Sequence, residues 1–444
     1  MQKILLLIAS LFYFNFILAE NEIKSWQGIH ETPLSRLEQQ FAEPPVEFAN
    51  HVIWGWEGKM DKKTICNDLD SIKKKGFRAV IFEAGYKLPF KYLSEEWFKA
   101  IRTGVLEAKK RGMKVWIIDE GKYPSGFAGG KFSQERPDLR MQALVIGDTI
   151  QVKRGEVMTN HKIAPEIISA VAVSTSGAPN RTVEIDNGEI SFNAGLDDWK
   201  ILLVKSDFRT AVTRAVNNPN GGKDATNSLC DYLNPVAVQQ FIDWTHEQYK
   251  KYLGKELGTT VLGFRGDEPD YAHLPWTPSI VQTFKETKGY DPTPYLASFF
   301  TASPTIQEQR VKADYWDVWS SLFATHFFKL QADWCAANGV AHITHLNKEH
   351  EMPACVKAEG DYFRNLSKVQ IPGVDAIWNQ IWPGTLNDFP KLASSVAHVY
   401  GKPRAFSESF AAYHISPTIP QAKFVVDHQI ARGINSVSYT HLRA

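Results

Sequence analysis

The sequence predicts an α/β fold, a (β/α)8 barrel of the TIM type with an antiparallel β insertion after strand three. Three observations carry this. Apolar runs of strand length alternate with helical patterns through residues 51–121, and the alternation resumes near residue 260. Eight strand candidates separated by helices suit a closed barrel better than an open doubly wound sheet, which is the alternative. Between them, residues 142–232 form short period-two segments divided by Gly, Asn, Asp and Pro, as in antiparallel structure.

HVIWGW (51–56) is strand one. In DKKTICNDLDSIKKKG (61–76), Ile65, Leu69 and Ile72 recur at helical spacing before a glycine stop. FRAVIFEAG (77–85) is strand two. SEEWFKAIRTGVLEAKKRG (94–112) is a helix with an acidic start and a basic end, as the helix dipole favours. MKVWIIDEG (113–121) is strand three. After the insertion, NPVAVQQFIDWTHEQYKKYLG (234–254) reads as one helix, with Asn234 at the cap and Pro235 in the first turn. TVLGFRGDE is strand four, and residues 311–339 hold a long helix. VAHITHL (340–346), VDAIWNQ (374–380), PRAFSES (403–409) and INSVSYT (434–440) complete the set. The resulting division is a barrel first part at 49–141, the β-rich insertion at 142–232, and a barrel second part at 233–444. The last is expected to be truncated, since no helix follows strand eight.

Ahead of the barrel, residues 20–48 read as a loose polar lead-in, and residues 1–19 as a signal peptide. One early lysine precedes the apolar stretch ILLLIASLFYFNFI, and Ile17-Leu18-Ala19 is a cleavage-site pattern. The stretch is short for a bilayer span, so the expectation is an exported protein, periplasmic or extracellular, with no membrane span. Four scattered cysteines lack zinc spacing and are too few to staple 444 residues. Free buried thiols are expected over a Cys335–Cys355 bridge. A net charge of +1 gives no electrostatic case for nucleic acid. The 12% aromatic content suits stacking on sugars, and also ordinary cores.

In such a barrel the chemistry sits at the C-terminal ends of strands. There the sequence carries Glu83, Asp119 and Glu120, Asp267 and Glu268, His345 and Asn347, Trp378 and Asn379, and Glu408. Carboxylates, amides and a histidine around one mouth suit a hydroxyl-rich ligand, which needs donors and acceptors together. Glycoside hydrolysis needs one protonated and one ionised carboxyl, and Glu268 and Glu408, ending strands four and seven, are the best pair. The alternative is ordinary ion pairing, Glu268 with Arg265 and Glu408 with Arg404. On a regular strand Asp267 would point away from Glu268. Asp119 and Glu120 are candidates for substrate contact or for a turn-stabilising salt bridge. GFAGGK (126–131) lacks Walker spacing, and His342 and His345, on opposite faces of a strand, cannot chelate together. His342 is expected against the helices and His345 near the mouth.

The chain resembles bacterial α-L-rhamnosidases of glycoside hydrolase family 106. The resemblance runs from about residue 45 to about 432, through WGWEGKM (54–60), YLSEEWF (92–98), GMKVWIIDEGKYPSGFAGG (112–130), GFRGDEPDY (263–271), HLNKE (345–349), GDYFR (360–364), IPGVDAIWNQ (371–380) and YGKPRAFSESFAAY (400–413). It implies an exported barrel that removes terminal α-L-rhamnosyl residues from plant polysaccharides, by inversion and with calcium. It makes Glu268 the general acid and Glu408 the general base. Substrate-binding candidates are Glu83, Asp119, Glu120, Tyr123, Asp267, His345, Asn347 and Trp378. Glu83, Asp119 and Glu120 are the candidates for holding calcium, a hard cation that wants several oxygen ligands. The competing readings are a non-catalytic glycan-binding protein on a barrel scaffold, a hydrolase of a different glycoside, and a polysaccharide lyase, which the acidic strand ends disfavour.

Overall fold

A computed structural model describes residues 33–440, apart from 215, 217–222, 270, 272, 386 and 414–416. The signal-peptide segment therefore lies outside the described residues. Eight parallel strands close into a barrel: His51–Trp56, Ala79–Ala84, Lys114–Ile118, Val261–Asp267, Ala341–His345, Ile371–Ala376, Phe406–Ser409 and Ser436–Tyr439. Each pairs with its chain neighbours, and strand one closes on strand eight through His51 opposite Ser438. This is the fold class read from the sequence.

Strand periodicity sets the layers. Ile81, Trp116, Ile118, Leu262, Ala341, Ile343, Ile371 and Phe406 form one buried cluster filling the barrel. The intervening positions, such as Val80, Phe82, Val115 and Ile117, pack outward with Ile101 and Val105 of the helix Glu95–Lys110. That helix is capped by Ser94, whose side chain accepts from Trp97 N–H. The barrel wall is tight at Gly373, where an added Cβ would meet the Phe406 ring at 2.0 Å.

The insertion makes a five-stranded antiparallel sheet and smaller ones, with its own core around Ile201, Trp199 and Ala172. One edge strand of that sheet, Pro275–Trp276, comes from beyond barrel strand four and pairs with Gln142–Val152.

Four local expectations are corrected. The lead-in is not wholly loose, since Leu34–Ala42 is a helix, although it buries no residue. The single helix at 234–254 is two, Pro235–Trp244 and His246–Leu253, broken where the Thr245 hydroxyl donates to the Phe241 carbonyl at 2.7 Å. The long helix runs Ile306–Phe323, passes through a π turn at Ala324–Phe328, and continues as Lys329–Ala337. Strand six is Ile371–Ala376, earlier than expected, with Pro372 near its start, where a missing N–H is tolerated. All four cysteines are free, and Cys230, Cys335 and Cys355 are buried. No described helix is long and apolar enough to cross a membrane.

Candidate active site

The alternation that fills the barrel with apolar side chains also builds the site. Two residues beyond Ile81, Arg265, Ile343, Gly373 and Phe406, the inward positions are Glu83, Asp267, His345, Asp375 and Glu408. Strand register sets them side by side: Asp267 is opposite His345, and Asp375 is opposite Glu408. Glu83, Asp267, Asp375 and Glu408 face a cavity of about 950 Å³, lined also by Tyr123, Glu268, Asn347, Glu349 and Trp378, with His345 buried just behind them.

Arg265 is the hub. Its side chain is 1% exposed, and one guanidinium nitrogen donates to Glu408 Oε2 and lies 3.6 Å from Asp267 Oδ1. His345 Nε2 is 3.2 Å from the same Glu408 oxygen and 3.4 Å from Asp267 Oδ1, while Nδ1 is 3.2 Å from the Leu346 carbonyl. Burial works against charge here, but these partners outweigh it. Burial would raise the Glu408 and Asp267 carboxyls, yet the Arg265 guanidinium and the His345 hydrogen bonds hold both below the usual range. Burial would lower His345, yet hydrogen bonds to Asp267 and Glu408 hold it well above its ordinary value.

Glu268 is treated in the opposite way. Burial, followed by the charges of Asp267, Glu349 and Glu408 and only partly offset by His345, pushes it up to about 8. Asp375 is likewise pushed well above its normal range, by burial and then by Glu408. One cavity thus holds an ionised and a protonated carboxyl at neutral pH. Their common neighbour is His345: Asp267, His345 and Glu408 offer atoms within 4.8 Å of one another, and so do Glu268, His345 and Asp375.

The expectation that Asp267 and Glu268 point apart is overturned. The strand ends at Asp267, and Glu268 turns with φ of 37°, so both side chains line the cavity. Lys348, Trp378 and Ala412, also at the mouth, have φ of 63°, 55° and 53°. Strained backbone of this kind persists where surrounding structure enforces it. Among the described residues the alternative ion pairs, Glu268 with Arg265 and Glu408 with Arg404, are not seen: Arg265 serves Glu408, and Arg404 stacks 4.3 Å over Phe48.

Asp119 and Glu120 do not face the cavity. Asp119 is buried, and Ser125 Oγ donates to it at 2.7 Å; the Asp267 N–H donates to Ser125 Oγ at 2.7 Å. Asp119 therefore supports the backbone of Asp267. Glu120 accepts from the N–H groups of Gly121 at 2.6 Å, Gly129 at 2.9 Å and Ala128. It ties down the turn that carries Tyr123 through backbone amides, in place of the substrate contact or salt bridge expected of it. Of the other predicted positions, Glu83 lines the mouth 2.9 Å from Lys122 Nζ, and Asn347 donates to the Tyr123 hydroxyl at 3.2 Å. Trp378 is 65% exposed, a free aromatic face at the rim. His342 packs outside the barrel wall and His345 inside, as alternation requires.

Sequence reasoning missed Asp375, Glu349, Lys122 and Arg265 as site residues, and also the insertion's contribution of Val212 and Arg214 to the lining. Asp375 was legible in IPGVDA had strand six been ended at Ala376. Arg214 was not, because nothing local shows that Thr213–Arg214 returns to the mouth, where its guanidinium lies 5.7 Å from the Tyr123 ring.

The proposed calcium ligands do not converge. Glu83 is paired with Lys122, Glu120 is committed to backbone amides, and Asp119 lies beneath Ser125. At the centre of the cavity the carboxylates already share the Arg265 guanidinium. The residues named for a cation therefore do not fit one.

Comparison with known proteins agrees with this architecture. A putative beta-glucuronidase of Formosa agariphila is 24% identical over 432 aligned residues, covering 85% of this chain and 35% of the relative. The structure of a rhamnosidase from Novosphingobium sp. PP1Y superposes with a TM-score of 0.69 at 15% identity, covering 93% of this chain and 56% of that one. The chain thus spans about a third of the curated relative and just over half of the solved rhamnosidase. The family model described as alpha-L-rhamnosidase, glycoside hydrolase family 106, matches residues 180–442, more than half of the sequence, and the chain belongs to that family.

Proposed function

We propose that this chain is the catalytic barrel of an inverting α-L-rhamnosidase, with Glu268 as general acid and Glu408 as general base. Glu268 gives its proton to the glycosidic oxygen as the bond to the anomeric carbon breaks. Water attacks that carbon from the opposite face, and its proton passes to Glu408. The products are free rhamnose of inverted configuration and the aglycone alcohol. Glu268 then regains a proton and Glu408 loses one through solvent.

The observation that most supports this reading is the opposite treatment of two glutamates in one cavity. Burial and like charges keep Glu268 protonated, while Arg265 and His345 keep Glu408 ionised. Glu83, Asn347, Tyr123 and Asp375 would meet sugar hydroxyls, and the exposed face of Trp378 would meet an apolar sugar face. Removal of terminal residues from plant polysaccharides, export and calcium dependence belong to the same reading. Export rests on the apolar N-terminal stretch, and calcium on the resemblance alone, so no step above passes through a cation.

A test uses aryl α-L-rhamnosides of differing leaving-group acidity. Glu268→Gln is expected to retain most activity on the most acidic phenol, which needs little protonation, while Glu408→Gln loses activity on all. Equal loss across the series for both variants would remove the acid–base assignment. A second reading, hydrolysis of a uronide, has support in the glucuronidase name of the relative and in Lys122, Arg214 and Lys348 at the mouth, which would suit a sugar carboxylate. Cleavage of an aryl β-glucuronide with no cleavage of the rhamnoside would favour it.

A further inference from the structure

A second cluster lies outside the barrel wall and has no part in the chemistry above. His342 projects outward from strand five, Cys335 stands on the helix that precedes it, and His246 opens the helix His246–Leu253. All three are closed off from solvent, at 1%, 0% and 0% exposure. Cys335 sulfur and one ring nitrogen of each histidine lie within 4.8 Å of one another. The walls are apolar: the Phe264 ring is 4.3 Å and the Trp334 ring 5.1 Å from the His246 ring.

The hydrogen bonds fix the tautomer of His246. The Thr245 hydroxyl has a single proton and donates it to the Phe241 carbonyl at 2.7 Å. Towards His246 Nδ1, 2.9 Å away, it can therefore only accept, so Nδ1 carries the proton and Nε2 is a bare lone pair. His246 Nε2 is buried with no hydrogen-bond partner, and so is His342 Nδ1. An unmet buried acceptor costs roughly 1–3 kcal/mol, and one at His246 beside a thiol and a second unpartnered ring nitrogen calls for an acceptor of lone pairs. A ligating histidine that donates its other N–H to a neighbouring oxygen is also the usual support for a bound metal.

We propose that His246, His342 and Cys335 form a buried three-coordinate site for a single cuprous ion. Thiolate and imidazole are the ligands that soft cations select. Charge decides between the two soft candidates. One thiolate, two neutral imidazoles and Cu+ sum to zero, which a dry core tolerates. Zn2+ would leave a net positive charge buried and would want a fourth ligand. Metal–ligand bonds of ~2.0–2.3 Å put ligand atoms about 3.6 Å apart in a trigonal site, so the cluster need close by little more than an ångström. On binding, a copper–sulfur bond forms and the thiol proton leaves to solvent, with no change in oxidation state.

Because the site is sealed, the ion must enter as the chain folds. The full chain would be produced with copper present, purified anaerobically, and challenged with bathocuproine disulfonate. The expected result is one Cu+ per chain resistant to the chelator, with X-ray absorption giving one sulfur and two nitrogen neighbours. Cys335→Ser should weaken retention by more than ~100-fold, beyond the range of changes outside the ligand set, and Cys66→Ser should leave it unaltered. The absorption spectrum of the unsubstituted protein keeps the test valid if Cys335→Ser fails to fold. No chelator-resistant ion in the folded protein, loss with Cys66→Ser, or zinc held in preference to copper would each overturn the proposal.

Discussion

Replacing Arg265 by Met keeps the side-chain volume and removes the charge that holds the site together. In the native chain, Glu408 and Asp267 sit below their ordinary range because the guanidinium is there. Without it, burial and mutual repulsion act on both carboxyls, opposed by His345 and, at Asp267, by the Lys122 charge. Removing one partner from a buried pair costs about 3–5 kcal/mol. With an unfolding entropy of ~2.1 cal/mol/K per residue, the 444-residue chain loses Tm by about 3–5 °C at pH 7. The sign of the pH dependence follows from linkage. The depressed carboxyls contribute stability that is present above their unfolded pKa and lost as pH falls through their folded values. In the variant their folded pKa values lie above the unfolded ones, so they cost stability above the unfolded pKa, and that cost disappears on acidification. The gap between native and variant Tm is therefore expected to be widest near pH 7 and to narrow towards pH 4, as measured by scanning calorimetry. A gap that is constant with pH, or widens on acidification, would refute the account of Arg265 as the electrostatic hub.

Further expectations follow from the same geometry. Activity should fall as pH rises through about 8, where Glu268 deprotonates, and should hold on the acid side down to below the ordinary glutamate range, because Glu408 stays ionised; a kcat/KM profile checks both limbs. Gly373→Ala drives a methyl into the Phe406 ring at 2.0 Å and should cost about 1–3 kcal/mol in denaturant unfolding, as overpacking does. Trp378→Ala removes a largely exposed ring, so KM should rise several-fold while Tm stays within about 1 °C, since surface changes are small.

Where the fold was legible, it was because periodicity and burial agree. All eight barrel strands were visible as apolar runs, since both faces of each are covered. Errors came where local backbone departed from regularity. Asp267 and Glu268 were read as facing apart because a φ of 37° at Glu268 leaves no trace in sequence. Asp119 and Glu120 were placed in the mouth because they follow a strand, but the chain turns there and takes both carboxyls inward to Ser125 and to backbone amides. Strand six was set too late because Ile377 and Trp378 extend its apolar run, and that shift hid Asp375. The partner of Arg265 could not be read at all, because Glu408 lies 143 residues away and only barrel closure brings the two together.

The most direct test of the central claim is the configuration of the sugar first released from an aryl α-L-rhamnoside, followed by proton NMR. The account predicts β-L-rhamnose at early times, with the α anomer appearing only by mutarotation. Initial α-L-rhamnose would contradict it.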